Sequence, residues 1–155
     1  MATNLKSLAK DTAIYGVSSI FGRFLNYLLV PLYTATLSAA SGGYGVITNL
    51  YAWTALLLVI LTYGMETTFF RFANKADEDA EKVYSTTLVS VGATALMFVA
   101  AVVGFLPSIS SALGYADHQS WVVSMAIIVA LDAFQAIPFA YLRYKKQPIK
   151  FAGLK

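Results

Sequence analysis

The feature that most constrains this chain is a long, mostly apolar stretch near its N-terminus, residues 11–36, with a cation near its middle. An apolar stretch of about 20 residues is long enough to cross a bilayer as a helix. The cation is Arg23, and a charge inside hydrocarbon costs several kcal/mol unless it faces protein or water. The stretch therefore predicts a membrane-spanning helix whose arginine faces a polar interior, which makes Arg23 a candidate functional residue.

The composition supports a membrane protein. The 155 residues are 58% hydrophobic and 12% charged, whereas soluble domains carry about 25% charged residues. The chain has no cysteine, which excludes a disulfide framework, a thiolate metal site and a cysteine nucleophile. The sequence contains none of the motifs of serine hydrolases, zinc peptidases or phosphate-binding loops. We therefore expect neither an enzyme nor a bound cofactor or metal.

Four apolar stretches predict an all-α, polytopic membrane protein with four transmembrane helices in up-and-down order. The first stretch is too long for a signal peptide, whose apolar region has about 7–15 residues. Pro31 should bend the first helix, because proline removes a backbone hydrogen bond, and Pro107 should end the third. We expect a short loop over residues 108–119. The four predicted spans are residues 12–37, 44–68, 83–105 and 120–142.

The basic residues predict the orientation of these helices. Except for Arg23, every lysine and arginine lies before the first predicted span, between the second and third, or after the fourth. Cytoplasmic loops carry an excess of such residues. The net charge of +3 is therefore explained by topology rather than by nucleic-acid binding. We predict a multi-pass protein of the cytoplasmic membrane with its N-terminus in the cytoplasm.

An acidic run, Asp77 to Asp79, precedes the third predicted helix. One interpretation is a solvated helix start, with Glu78 and Lys82 as a favourable pair one turn apart. The other is a magnesium site like those of membrane prenyl transferases, where carboxylates hold the metal against a diphosphate. The helix start is the simpler interpretation. His118 stands alone in a predicted loop, and we do not expect it to bind a metal.

Two charged residues lie at similar depths in different predicted helices. At the rise of an α-helix, Arg23 lies about 16 Å inside the first span and Asp132 about 15 Å inside the fourth. This similarity predicts either a structural ion pair between them or two charges that line one cavity. The two interpretations are compatible with each other.

Several segments resemble the start of bacterial polysaccharide flippases. These proteins are the lipid-linked oligosaccharide exporters of the multidrug/oligosaccharidyl-lipid/polysaccharide superfamily. The segments are FGRFL in the first helix, the proline turn LLVPLYT, the short link into YGV, and GMETTFFRF at the end of the second helix. The resemblance covers roughly residues 8–155. The related peptidoglycan-precursor flippases have a second cation in the first helix, near the place of Tyr27 and Leu28, which this chain lacks.

The resemblance implies a MATE-like fold of twelve to fourteen helices in two lobes. Residues 1–155 would then form a single membrane domain, the N-terminal part of a larger transporter. It also implies transport by alternating access in the bacterial inner membrane, with export of lipid-linked oligosaccharide for polysaccharide or lipopolysaccharide biosynthesis. The implied partners are membrane lipid, a polyprenyl-diphosphate-linked oligosaccharide and the remaining helices, with no nucleic acid.

The resemblance gives the polar residues of the spans expected roles. Arg23 suits a diphosphate, since a guanidinium stays charged and donates two parallel hydrogen bonds. Asn26, Asp132 and Gln135 are candidate cavity-lining residues, and Asn26 could hold a sugar hydroxyl or bond to another helix. Glu66 and Asp132 are candidate coupling carboxylates that take up a proton or cation. For Glu66 the structural alternative is a partner for Arg71.

Two other functions are compatible with parts of the sequence. A multidrug or cation antiporter of the same superfamily would share the fold, but a cationic drug prefers an acidic cavity and Arg23 argues against it. A membrane enzyme of prenyl-lipid metabolism would use the acidic run as its metal site. Lipid-linked oligosaccharide export remains the main prediction.

Overall fold

The computed structural model describes residues 5–37 and 43–154, except the side chains at positions 5–8, 11, 18, 22, 23 and 26. The described residues are almost entirely helical and contain no β-strand, which confirms the all-α prediction. A short 3-10 turn, Ala116–His118, precedes the sixth helix. The helices are α1 (Leu5–Thr36), α2 (Gly43–Thr62), α3 (Met65–Ala73), α4 (Ala80–Gly104), α5 (Leu106–Ala112), α6 (Gln119–Tyr144) and α7 (Pro148–Leu154).

Three helical stretches are long and apolar enough to cross a bilayer: Gly43–Ala73, Ala80–Gly104 and Ala116–Tyr144. They correspond to the second, third and fourth predicted spans, and the chain is a multi-pass membrane protein. Helix α1 has 32 residues and continues through Pro31. Among its described residues the apolar part is Thr12–Phe21, so the crossing by residues 12–37 stays a prediction.

The second predicted span, residues 44–68, lies within the membrane-spanning stretch Gly43–Ala73, but the helix inside that stretch is interrupted. Helix α2 ends at Thr62. Tyr63 and Gly64 follow with φ angles of 30° and 72°, and α3 begins at Met65. Left-handed backbone at two successive residues cannot continue a right-handed helix. Because apolar residues flank the break on both sides, hydropathy gave no sign of it.

Replacing Gly64 with alanine is expected to destabilise this break by about 1 kcal/mol, because a Cβ disfavours left-handed backbone. A Cβ at this position would meet no atom within 4 Å, so the cost is conformational rather than steric. Thermal unfolding in detergent measures it. The matched control is Gly104→Ala, at the end of α4, where a Cβ also meets nothing within 4 Å and φ is ordinary. An equal loss of stability in both variants would show that the left-handed backbone at Gly64 is not its cause.

The predicted loop over residues 108–119 is also wrong in part. It contains most of α5 and the 3-10 turn. Pro107 was expected to end the third helix, but that helix ends at Gly104, and Pro107 lies in the first turn of α5. Proline fits there, because the first backbone N–H groups of a helix have no intrahelical partner.

Residues 49–140 form one compact unit. Its core contains the fully buried side chains of Val91 on α4 and of Val129 and Ile137 on α6. Gly92 allows α4 and α6 to approach closely, since a Cβ there would lie 3.3 Å from the ring of Phe134. Small residues at such contacts are typical of helices packed in lipid, where close van der Waals contact replaces the hydrophobic effect.

The described parts of residues 1–48 and 141–155 form the other compact unit. Within it α7 packs against α1. The contact includes Phe151, which is 3% exposed and meets the ring of Tyr15 edge-on at a centroid distance of 5.0 Å. An aromatic pair of this geometry contributes about 0.5–1.5 kcal/mol beyond the burial of its surface. The last helix is thereby fixed to the first.

Candidate functional site: polar groups within the membrane spans

Helix α6 carries a hydrogen-bonded polar pair in the middle of a membrane-spanning stretch. The Gln135 Nε2 atom donates to Asp132 Oδ1 over 2.7 Å. Residues three apart lie on the same side of a helix, so the spacing in the sequence already places the two together. The amide satisfies one lone pair of the carboxyl group and leaves its second oxygen available to another donor.

The pair lies beside the buried face of α6. Buried residues recur along that face at spacings of three and four, including Val129, Ala133 and Ile137, as a packed helix requires. Asp132 immediately precedes Ala133 and is half-buried, whereas Gln135 is exposed within this chain. The carboxyl group therefore lies at the boundary between packed protein and an open surface.

The two polar residues of α1 that the sequence singled out cannot be placed against this pair. Arg23 and Asn26 are both in helical backbone, but their side chains lie outside the described residues. The Arg23–Asp132 pair and the proposed role of Asn26 stay predictions.

Glu66 lies in the first turn of α3 and is half-buried. A carboxylate at a helix N-terminus is stabilised by the partial positive charge of the free N–H groups. This position gives a structural reason for an acidic residue at position 66. The sequence did not suggest that reason, because the helix start at Met65 was not predicted. Its role in coupling stays a prediction.

The break before α3 is a feature that the sequence analysis missed. The hydroxyl groups of Tyr63 and Thr94 lie 3.4 Å apart and link the break to α4. Interrupted helices in transporters expose backbone groups to which ions or polar substrates bind. The signal in the sequence was Gly64, which lies inside an apolar stretch between two bulky residues.

The acidic run is a helix start, as its simpler interpretation predicted. Asp79 caps α4, and its Oδ1 accepts a hydrogen bond from the Glu81 N–H over 2.9 Å. Glu78 precedes the helix, so the expected Glu78–Lys82 pair within one helix is wrong. Among residues 5–37 and 43–154, no three His, Cys, Asp or Glu side chains are grouped to hold a metal ion.

Replacing Asp79 with alanine is expected to destabilise the start of α4 by about 1 kcal/mol, the usual value of an N-cap. Asp79→Asn keeps the accepting oxygen and should cost little. Thermal unfolding of the two variants measures the difference. If the asparagine variant lost as much stability as the alanine variant, the side-chain charge rather than the cap would be responsible.

The described residues of the unit 49–140 line open cavities between neighbouring helices. One, of about 370 Å³, is lined by apolar residues of α4 and α6, including Leu96, Leu131 and Phe134. The other, of about 310 Å³, lies between α3 and α4 and combines Thr68, Lys82 and other polar residues with an apolar wall. Neither cavity is predictable from the sequence, because each is formed by side chains far apart along the chain.

His118 stacks on Trp121, with ring centroids 4.1 Å apart and planes at 9°. The stack lies where the 3-10 turn meets α6, at one end of a membrane-spanning stretch. Aromatic residues commonly anchor helices at the membrane interface.

Comparison with known proteins gives the family of the chain. No curated protein and no solved structure matches it. Residues 8–146 match the family described as polysaccharide biosynthesis protein. That range includes all four predicted spans, the polar pair of α6 and the segments FGRFL and GMETTFFRF. Because the match extends over most of its length, the chain belongs to the polysaccharide biosynthesis protein family, and its resemblance to the polysaccharide flippases is confirmed.

Proposed function

We propose that this chain takes part in moving a lipid-linked oligosaccharide across the cytoplasmic membrane of a bacterium. The observation that carries the proposal is the family match over residues 8–146 of a chain with three apolar helices long enough to span a bilayer. Polysaccharides are assembled on lipid carriers. A multi-pass protein of such a family is suited to export the lipid-linked oligosaccharide.

The chemistry of the substrate explains why polar groups lie in apolar helices. The sugars and the diphosphate cannot enter hydrocarbon without losing their hydration, which costs many kcal/mol for charged groups. The prenyl tail can stay in lipid. Arg23 would bind the diphosphate through its planar, permanently charged guanidinium. Asn26 and the Asp132–Gln135 pair would bind sugar hydroxyls.

Transport would proceed by alternating access, in which a cavity opens to one side of the membrane at a time. Asp132 or Glu66 would couple this motion to a proton or cation. The position of Asp132 supports a role in coupling. Its half-buried carboxyl group accepts a hydrogen bond from Gln135 through one oxygen and can still bind an ion through the second oxygen.

The proposed orientation places the N-terminus and the turn after α6 in the cytoplasm of the cell, at the inner membrane. It is supported by the exposed lysines at positions 10, 75, 145, 146 and 150, all of which lie outside the apolar spans. The chain would work with further helices that complete a two-lobed transporter.

Deletion of the gene in its own bacterium tests the proposal. We expect surface polysaccharide to disappear and lipid-linked oligosaccharide to accumulate on the cytoplasmic side, with both effects reversed by the complete reading frame. If the linked oligosaccharide is itself no longer made, the protein acts in synthesis, as the enzyme alternative requires. If surface polysaccharide persists and sensitivity to cationic drugs rises, the antiporter alternative is correct.

A further inference from the structure

We propose that the turn at the end of α6, residues 143–150, is a binding site for the phosphate-bearing headgroups of anionic phospholipids. We call these residues the basic turn. The inference does not depend on what the protein transports. It rests on the backbone of the turn, on its charge and on the way in which it is held.

The backbone of the basic turn is a helix cap that normally contains glycine. The Gln147 N–H donates to the Leu142 carbonyl over 3.0 Å, and the Lys146 N–H donates to the Arg143 carbonyl over 3.1 Å. These two bonds define a Schellman cap, in which the residue after the helix adopts left-handed backbone. That residue is Lys146, with a φ of 53°.

The same chain contains the same cap with glycine. At the end of α5, the Tyr115 N–H donates to the Ser110 carbonyl and the Gly114 N–H to the Ser111 carbonyl, over 2.7 and 3.1 Å. Gly114 has a φ of 78°. Lysine therefore occupies a position that glycine fills more easily. Strained backbone that a protein retains is a reason to look for a function of the side chain.

The basic turn lies in a positively charged part of the sequence. Lys145, Lys146 and Lys150 are exposed, and Arg143 is half-buried. From residue 133 to residue 155 the sequence contains no aspartate or glutamate. Four basic residues in the last turn of a membrane-spanning helix and just after it attract anionic lipid headgroups, and each contributes to the attraction.

The basic turn is held on both sides by aromatic contacts. The Lys145 ammonium lies 5.3 Å from the centre of the Tyr141 ring, and the Arg143 guanidinium lies 6.0 Å from the ring of Phe151. Phe151 in turn contacts Tyr15 of α1. A fixed turn loses little conformational entropy when it binds a headgroup. It should therefore bind the headgroup more tightly than a flexible basic tail would.

The test is the selectivity of the purified, complete protein for lipid in nanodiscs of phosphatidylcholine. Electron paramagnetic resonance measures how much spin-labelled phosphatidylglycerol, compared with spin-labelled phosphatidylcholine, is immobilised by the protein. We expect the wild-type protein to prefer phosphatidylglycerol, and Lys146→Gly to reduce that preference about fivefold. The preference should also fall at high salt, since ions screen exposed charges.

Lys146→Gly separates binding from folding, because glycine suits the left-handed position and should leave the unfolding temperature equal or higher. Lys75→Gln is the matched control. Lys75 is an exposed lysine beside the acidic run, with its ammonium 4.4 Å from the Phe72 ring, and its loss should leave the preference unchanged. Wild-type preference in Lys146→Gly, or an equal loss in Lys75→Gln, would overturn the proposal.

Discussion

Replacing Arg23 with alanine in the complete protein is expected to reduce export sharply and to deplete polysaccharide from the cell surface. A hydrogen-bonded charge pair contributes about 1.5–3 kcal/mol, so loss of the guanidinium should slow transport about 10- to 150-fold. Without the cation, the diphosphate would cross the bilayer unpaired. Extraction and staining of surface polysaccharide, with immunoblotting of the protein, measure the effect.

Two further variants serve as comparisons. One tests whether the shape of the Arg23 side chain matters as well as its charge, and the other tests whether the loss of any arginine impairs export. Arg23→Lys keeps a positive charge but lacks the planar fork, so it should retain part of the activity. Arg71→Ala removes an exposed arginine of α3 and should export normally. Normal surface polysaccharide in Arg23→Ala at a normal protein level would refute the assigned role.

Replacing Asp132 with asparagine is expected to reduce export about tenfold or more while the fold stays intact. An asparagine retains the oxygen that accepts the hydrogen bond from Gln135, which spans 2.7 Å, but loses the charge. If Asp132 couples transport to an ion, the variant should lose the response to an imposed ion gradient. Export by membrane vesicles with and without such a gradient measures this response.

The alternative role of Asp132 is purely structural, to hold Gln135. In that case Asp132→Asn would export normally, and Gln135→Leu would match Asp132→Ala in both export and stability. The coupling role predicts instead that Gln135→Leu reduces export less than Asp132→Asn does. Unfolding temperatures of the three variants show which differences arise from folding.

The parts of the fold that follow from hydropathy alone were predicted well. Helices α4 and α6 contain long stretches without a local break, and their bounds lie close to the predicted ones. The break at Tyr63 and Gly64 was missed because it depends on the φ angles of two residues within continuous apolar sequence. Helix α5 was missed because Pro107 was taken as a terminator, although proline also fits the first turn of a helix.

The parts of the candidate site that lie on one helix were predictable, and those between helices were not. Asp132 and Gln135 meet because helical periodicity brings residues three apart together. The contact between the hydroxyl groups of Tyr63 and Thr94 joins the break to α4 across 31 positions of the sequence, and only packing determines it. The lysine in the left-handed position 146 was also hidden, since a Lys-Lys pair carries no turn signal comparable to glycine.

Reconstitution of the purified, complete protein into liposomes tests the central claim most directly. The liposomes contain a fluorescent prenyl-diphosphate-linked oligosaccharide, and a membrane-impermeant quencher measures how much of it lies in the outer leaflet over time. We predict rapid exchange between leaflets with the wild-type protein and slow exchange with Arg23→Ala. Exchange by the wild-type protein no faster than in protein-free liposomes, under every ion gradient applied, would contradict the account.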